Sequence, residues 1–205
     1  MRWLSSVSVP RLAPTLHRFA QAGWTPRDVD RAVAAARIAF PAWSATSREE
    51  RLDLLRAIQD VYQKRSEDLA ATLTEEMGAP AALAGGFQLG LGAGHLATAI
   101  ELLENFVFEE QRGPTLVVRE PIGVCALITP WNWPLNQVAS KLAPALATGN
   151  SVVLKPSEQT PLTAMLLGDI AADAGIPPGV LNVINGLGRT AGAALTEHPL
   201  VKKVV

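Results

Sequence analysis

The sequence predicts an α/β protein in which a mostly helical N-terminal segment precedes a doubly wound parallel sheet. Three observations predict it. Residues 122–128, 151–154 and 180–184 are short apolar runs, the mark of strands buried on both faces of a sheet. Stretches with helical spacing, 135–147 and 162–174, lie between them, so parallel strands can be joined by crossover helices. Before Gly113 the pattern is almost entirely helical.

The 205 residues suffice for one large domain or two small ones with a proper core. Hydrophobic residues make up 48% and charged residues 18%, the balance of a soluble globular chain. Basic residues number 18 and acidic ones 19, a net charge of −1, so no surplus is available for a nucleic-acid backbone and no nucleic-acid partner is expected. The single cysteine excludes an internal disulfide and suggests a reducing compartment. His17, His95 and His198 have no metal-ligand spacing, and no metal is expected. No apolar run reaches the roughly 18 residues of a membrane span, and no membrane partner is expected.

Residues 1–24 read as a disordered or atypical tail. Positions 1–23 carry Arg2, Arg11, His17 and Arg18 and no acid, a composition shared by organellar transit peptides and by ordinary acid-poor tails. The expected location is the cytoplasm, or the mitochondrial matrix if the stretch is a transit peptide. Order begins at Thr25, a capping hydroxyl followed by Pro26 at the first helical position and Asp28 in the first turn. Val29, Val33, Ala36 and Phe40 share a face, and Pro41 is expected to end that helix. Ser47 and Glu50 form a capping box before the stripe Leu52, Leu55, Ile58 and Tyr62. A further helix over 66–77 stops at Gly78. Gly85, Gly86, Gly90, Gly92 and Gly94 then crowd one stretch. They lack the full GxGxxG spacing and no strand precedes them, so a poor helix or close helix packing is preferred to a phosphate loop. Helical spacing resumes over 96–108, 111–114 reads as a turn, and 115–119 alternates toward a strand.

The chain is organised around residues 121–158, PIGVCALITPWNWPLNQVASKLAPALATGNSVVLKPSE. Pro130 and Pro134 stop the strand over 122–128. The helix over 135–147 ends at Gly149, and a strand follows over 151–154. The polar loops 129–133 and 155–158 both fall at the carboxyl ends of parallel strands, where open α/β sheets bind ligands. Thr160 and Pro161 then cap and open a helix through Leu162, Leu166, Ile170 and Ala174 to Gly175. A third strand spans 180–184, a loop 185–188, a short helix 190–197, and a fourth strand begins at Val201. That strand breaks off at Val205, which reads as a fragment of a longer protein, because an unpartnered edge would be left bare.

The loop residues admit chemical readings, each beside a plainer one. Asn132, held between tryptophans and prolines, could donate its amide to an oxyanion or could satisfy its own turn. Lys155 and Glu158 suit the hydroxyls of a ribose; the alternative is a solvated ion pair. Gly188 and Gly192 permit close approach of a backbone to a ligand, or form an ordinary strand-to-helix turn. Cys125 lies mid-strand with no activating histidine or lysine near it in sequence, and is read as a structural, inert thiol.

Residues 121–158, with PGVLNVINGLG at 178–188, closely resemble the NAD(P)-dependent aldehyde dehydrogenase superfamily, and the resemblance extends from about Asp28 to Val205. ITPWNWP and LKPSEQTP together make it specific. The resemblance implies oxidation of an aldehyde to a carboxylic acid, with NAD as cofactor and NADP possible, and a small-molecule aldehyde as substrate. It implies a helical part of the cofactor domain over 25–112, a strand of the oligomerisation arm over 113–120, and a Rossmann-like cofactor-binding part over 121–205. Ile128, Thr129, Pro130 and Trp131 would line the nicotinamide side, and Asn132 would be the oxyanion-hole asparagine. Lys155, Ser157 and Glu158 would surround the adenosine ribose, with Gly188 and Gly192 on the adenine-pyrophosphate side. The glutamate charge at Glu158 favours NAD by repelling a 2′-phosphate. The nucleophilic cysteine and general-base glutamate of the family would lie beyond Val205, so these 205 residues alone are expected to be inactive. The alternative is a non-catalytic fragment with a partial nucleotide pocket or a subunit-pairing role. The full-length form is expected to be a homodimer or homotetramer.

Overall fold

The computed structural model describes residues 24–205. The tail reading for residues 1–23 lies outside the described residues. Helix α1 (Pro26–Ser44) starts where the Asp28 carboxylate accepts from the Thr25 backbone N–H at 2.9 Å and from its hydroxyl at 2.8 Å. Pro41 does not end this helix, contrary to the sequence expectation; it sits inside the last turn. A proline there removes one helical hydrogen bond near an end that frays anyway, and burial of Trp43 in the core holds the turn.

Helix α2 (Arg48–Lys64) opens on a complete capping box, with Ser47 N–H donating to Glu50 at 2.7 Å and Glu50 N–H donating to Ser47 Oγ at 3.1 Å. Helix α3 (Ser66–Met77) stops at Gly78, which adopts φ 72°. The glycine-rich stretch is helical, a π-helical turn over Leu83–Gln88 running into α4 (Leu89–Asn105). Gly92 is the glycine that packing demands. A Cβ there would lie 3.0 Å from Leu135 Cγ and 3.2 Å from Tyr62 Cζ, and would collide with the Tyr62 hydroxyl.

The helical spacing seen over 96–108 gives way at Asn105 to an antiparallel hairpin, β1 (Glu109–Arg112) and β2 (Thr115–Val118). Gln111 and Arg112 are therefore strand residues, not turn residues. Gly113, at φ 59°, lets Gly113-Pro114 alone make the reversal.

Five further elements, β3 (Val124–Ile128), α5 (Pro134–Ala147), β4 (Ser151–Lys155), α6 (Pro161–Asp173) and β5 (Leu181–Val183), precede a π-helical turn over Gly188–Gly192. The last two are α7 (Ala193–Glu197) and β6 (Val201–Val204). The sheet is parallel in the order β5-β4-β3-β6. Side chains alternate across it. Cys125, Leu127, Val152 and Leu154 join the core under α2, α4, α5 and α6. Val124, Ala126, Val153 and Ile184 join a second core with α1 and α7. Cover on both faces of the central strands β3 and β4 explains why these read as nearly continuous apolar runs rather than alternating ones. Strand β3 begins only at Val124, and Ile122, read from the sequence as its first residue, is half exposed.

Helix α5 ends at Gly149 as expected. Asn150 N–H donates to Ala145 C=O and Gly149 N–H to Leu146 C=O, both at 3.0 Å, with Gly149 at φ 77°. The Asn150 side chain also fixes the entry to β3, where its Oδ1 accepts from the N–H groups of Ile122 at 2.9 Å and Gly123 at 3.2 Å. Among the described residues, no helix is long and apolar enough to cross a membrane.

Candidate functional site

The two central strands set the site's frame. Ile128 at the end of β3 is in register with Lys155 at the end of β4, and Thr129 N–H donates to the Lys155 carbonyl at 3.2 Å. The loops that leave them, 129–133 and 156–160, therefore start side by side. The Asn185–Gly186 turn follows β5 on the far side of β4.

On the first loop, Thr129 is buried and its hydroxyl has no partner, while Pro130, Trp131 and Asn132 are exposed. No hydrogen bond ties the Asn132 amide back into its own turn among the described residues. Trp133 is the one non-glycine residue in the left-handed region among the described residues, at φ 59°, and it stands at the N-cap of α5. A bulky residue in that conformation costs roughly 1–2 kcal/mol and persists only where its surroundings hold it. Phe87, from the π-helical turn, meets the Trp133 ring edge-on with centroids 5.6 Å apart. Behind them, His95 on α4 hydrogen-bonds Asn136 on α5 at 2.8 Å.

On the second side, Lys155 is the last residue of β4 rather than the first of the loop, and only 2% of its side chain is exposed. Its ammonium donates to the Pro156 carbonyl at 2.7 Å and lies 3.5 Å from Glu158 Oε2, so a freely solvated ion pair is ruled out. Burial pushes its pKa down, and Glu158 opposes that shift. Ser157 and Glu158 are partly exposed. Gly192 packs on the lysine stem; a Cβ there would sit 3.7 Å from Lys155 Cδ. Gly188 is exposed, with open space where a Cβ would stand. The sterically required glycine of this loop is Gly186, at φ 127°, where a Cβ would lie 3.0 Å from Ala191. The Asn-Gly dipeptide was the available signal for it.

Cys125 is buried within β3, and burial pushes its thiol up, as expected of a structural cysteine. No cluster of histidine, cysteine and acid that could hold a metal ion occurs among the described residues. The sequence does not single out Phe87, Asn136 or Glu76, and it singles out His95 only as lacking metal-ligand spacing. An aromatic residue directly after Gly85 and Gly86 was the available signal for Phe87.

Thr160 does not cap α6 as the sequence suggests; its hydroxyl is buried without a partner. Thr160 has φ −137° and ψ 58°, outside the extended geometry that aims a capping oxygen at the helix amides. Glu76 of α3 takes its place, accepting from the N–H groups of Leu162 and Thr163 and from the Thr163 hydroxyl.

Comparison with known proteins agrees with this architecture. The sequence profile of the aldehyde dehydrogenase family matches residues 7–205. A 3-succinoylsemialdehyde-pyridine dehydrogenase from a Pseudomonas species is 52% identical over 181 residues, covering 88% of this chain and 38% of its own. A putative aldehyde dehydrogenase of Staphylococcus aureus is 47% identical over 175 residues, covering 85% and 37%. The crystal structure of an aldehyde dehydrogenase C mutant from Pseudomonas syringae, complexed with NAD+ and octanal, superposes with a TM-score of 0.88 at 49% identity, covering 89% of this chain and 38% of that one. The chain thus spans 38% of the length of the first of these curated relatives. On the fold, the paired loops and these likenesses together, the chain belongs to the aldehyde dehydrogenase family.

Proposed function

We propose that this chain supplies the coenzyme-binding and oxyanion-stabilising residues of an enzyme that oxidises an aldehyde to a carboxylic acid with NAD. The observation that carries the reading is the pairing of Ile128 with Lys155, which starts both loops at one edge of the sheet. The residues fit the coenzyme. Thr129 and Asn185 hold buried oxygens without partners beside the strand ends, and Lys155 and Glu158 offer a donor and an acceptor to ribose hydroxyls. NAD, when bound, supplies a two-electron hydride acceptor. Ile128, Thr129, Pro130 and Trp131 would lie along the nicotinamide half. Lys155, Ser157 and Glu158 would hold the adenosine ribose, with Gly188 and Gly192 toward the adenine and pyrophosphate. Glu158 would repel a 2′-phosphate, which favours NAD over NADP.

The Asn132 amide, exposed and uncommitted, would donate to the aldehyde oxygen as negative charge grows there. Trp133, the next residue in the chain, pairs edge-on with the exposed Phe87, and that apolar pair would suit an aldehyde with an apolar body. Octanal, bound in the Pseudomonas syringae relative, is such a molecule. Two further readings accompany this one. The β1–β2 hairpin, with Leu116 and Val118 exposed, would pair subunits into a homodimer or homotetramer. A cytoplasmic site suits a lone buried thiol.

Titration with NAD+ while following tryptophan emission tests the proposal, because Trp131 and Trp133 stand on the first loop. A saturable change is expected. Glu158→Gln should weaken NAD+ binding about tenfold, the worth of one charged hydrogen bond. Asn132→Ala should leave it unchanged. Absence of a saturable response to either NAD+ or NADP+ would sink the reading.

A further inference from the structure

We infer that Glu76 is a positioning residue for the nucleotide site, clamping from a distant helix the loop that carries Lys155 and Glu158. The inference rests on the nucleotide-site reading above. Glu76 lies in the last turn of α3, 86 residues before its partner Leu162. Its Oε1 accepts from Leu162 N–H, and its Oε2 accepts from Thr163 N–H at 3.0 Å and Thr163 Oγ1 at 2.7 Å. These are two of the free amides that open α6. The residue at the usual capping position, Thr160, gives the helix no side-chain bond.

The loop has little else to fix it. From Pro156 to Thr160 it carries one backbone bond, Thr160 N–H to Ser157 C=O at 3.2 Å, and the side-chain bonds lie in its first part: Lys155 Nζ to Pro156 C=O at 2.7 Å and to Glu158 Oε2 at 3.5 Å, and Gln159 N–H to Ser157 Oγ at 3.2 Å. Its first end is held by β4 through Lys155. Its second end is Pro161, and the peptide units directly after that proline are the ones Glu76 grips. A carboxyl with both oxygens engaged by successive amides fixes the helix start in direction as well as place. Loss of that grip frees the second end, so the ribose-facing residues would lose their preset position while the nicotinamide-facing loop on β3 would not.

Half-coenzymes separate this from a merely structural role. AMP reports on the ribose loop and nicotinamide mononucleotide on the other. Glu76→Asp, one methylene short of both amides, should weaken AMP and NAD+ about tenfold, within what loss of a helix cap is worth. Nicotinamide mononucleotide should bind as before. Glu76→Gln, which keeps one acceptor oxygen but turns an NH2 group toward the other partner, should recover part of the AMP affinity. Unchanged AMP binding in Glu76→Asp would overturn the inference while leaving the nucleotide site intact, as would equal losses for both half-coenzymes. A wild-type protein that binds no NAD+ would end both readings. If Glu76→Asp does not fold, amide exchange decides on the folded Glu76→Gln protein. Faster exchange at whichever of Leu162 and Thr163 loses its acceptor is expected, and wild-type protection at both overturns the clamp.

Discussion

Substituting Gly92 by alanine sets two opposing effects against each other. Alanine favours an α-helix over glycine by about 1 kcal/mol, and Gly92 lies inside α4. Against this, the new methyl would overlap the Tyr62 hydroxyl and press on Leu135 Cγ at 3.0 Å. Overpacking of a tight core costs about 1–3 kcal/mol. Tyr62 is 1% exposed and its hydroxyl donates to Leu89 C=O at 2.8 Å, so turning the ring aside would also strand a buried hydroxyl, at about 1–3 kcal/mol. The sum is a destabilisation of about 3 kcal/mol, near the middle of those ranges. Gly94 on the same helix has open space where its Cβ would be, so Gly94→Ala should instead stabilise by about 1 kcal/mol. Urea unfolding followed by circular dichroism measures both. At a slope of about 2–3 kcal/mol per molar, Gly92→Ala should lower the midpoint by about 1 M and Gly94→Ala should raise it slightly. A Gly92→Ala protein as stable as Gly94→Ala would refute the argument that Gly92 exists to let α4 close on Tyr62 and Leu135.

Three other outcomes follow from the same geometry. Burial pushes Glu76 from its usual 4.5 up to about 7, against the pull of its hydrogen bonds to Thr163 and Leu162, and Glu75 adds a smaller push upward. A folded pKa above the unfolded one gives stability that is full below about 4.5 and lost by about 7, worth about 3 kcal/mol. Unfolding free energies across that window should therefore fall with rising pH in the wild type and stay flatter in Glu76→Gln, and parallel curves would contradict it. Asn150→Ala removes the acceptor of the buried Gly123 N–H and should destabilise by about 2 kcal/mol in thermal unfolding. Cys125→Ser should leave NAD+ affinity unchanged, and thiol reagents should react with native protein far more slowly than with unfolded protein, because Cys125 is 5% exposed.

Local chemistry made much of the fold legible. The capping box at Ser47 and Glu50, the glycine stops at Gly78, Gly149 and Gly175, and the continuous apolar strands all act over a few residues. The placing of Asn132 and Glu158 on loops at one sheet edge followed from the strand-helix-strand pattern, since parallel strands must leave their loops on the same side. Pro41 misled because its effect depends on where the helix ends, which buried Trp43 decides. The turn at 111–114 was misjudged because Gly113 and Pro114 alone make the reversal once β1 and β2 pair.

The sequence by itself determined the α/β class, the order of elements from β3 onward, the inert setting of Cys125 and the two loops with their amide and carboxylate. Each is written in periodicity, turn chemistry and motif, which act between near neighbours along the chain. Only the tertiary structure decided which of five glycines is required, that Lys155 is buried against Gly192, and that Glu76 rather than Thr160 caps α6. Those features arise where helices distant in sequence meet, and whether a polar group is satisfied depends on what packing brings within about 3 Å of it.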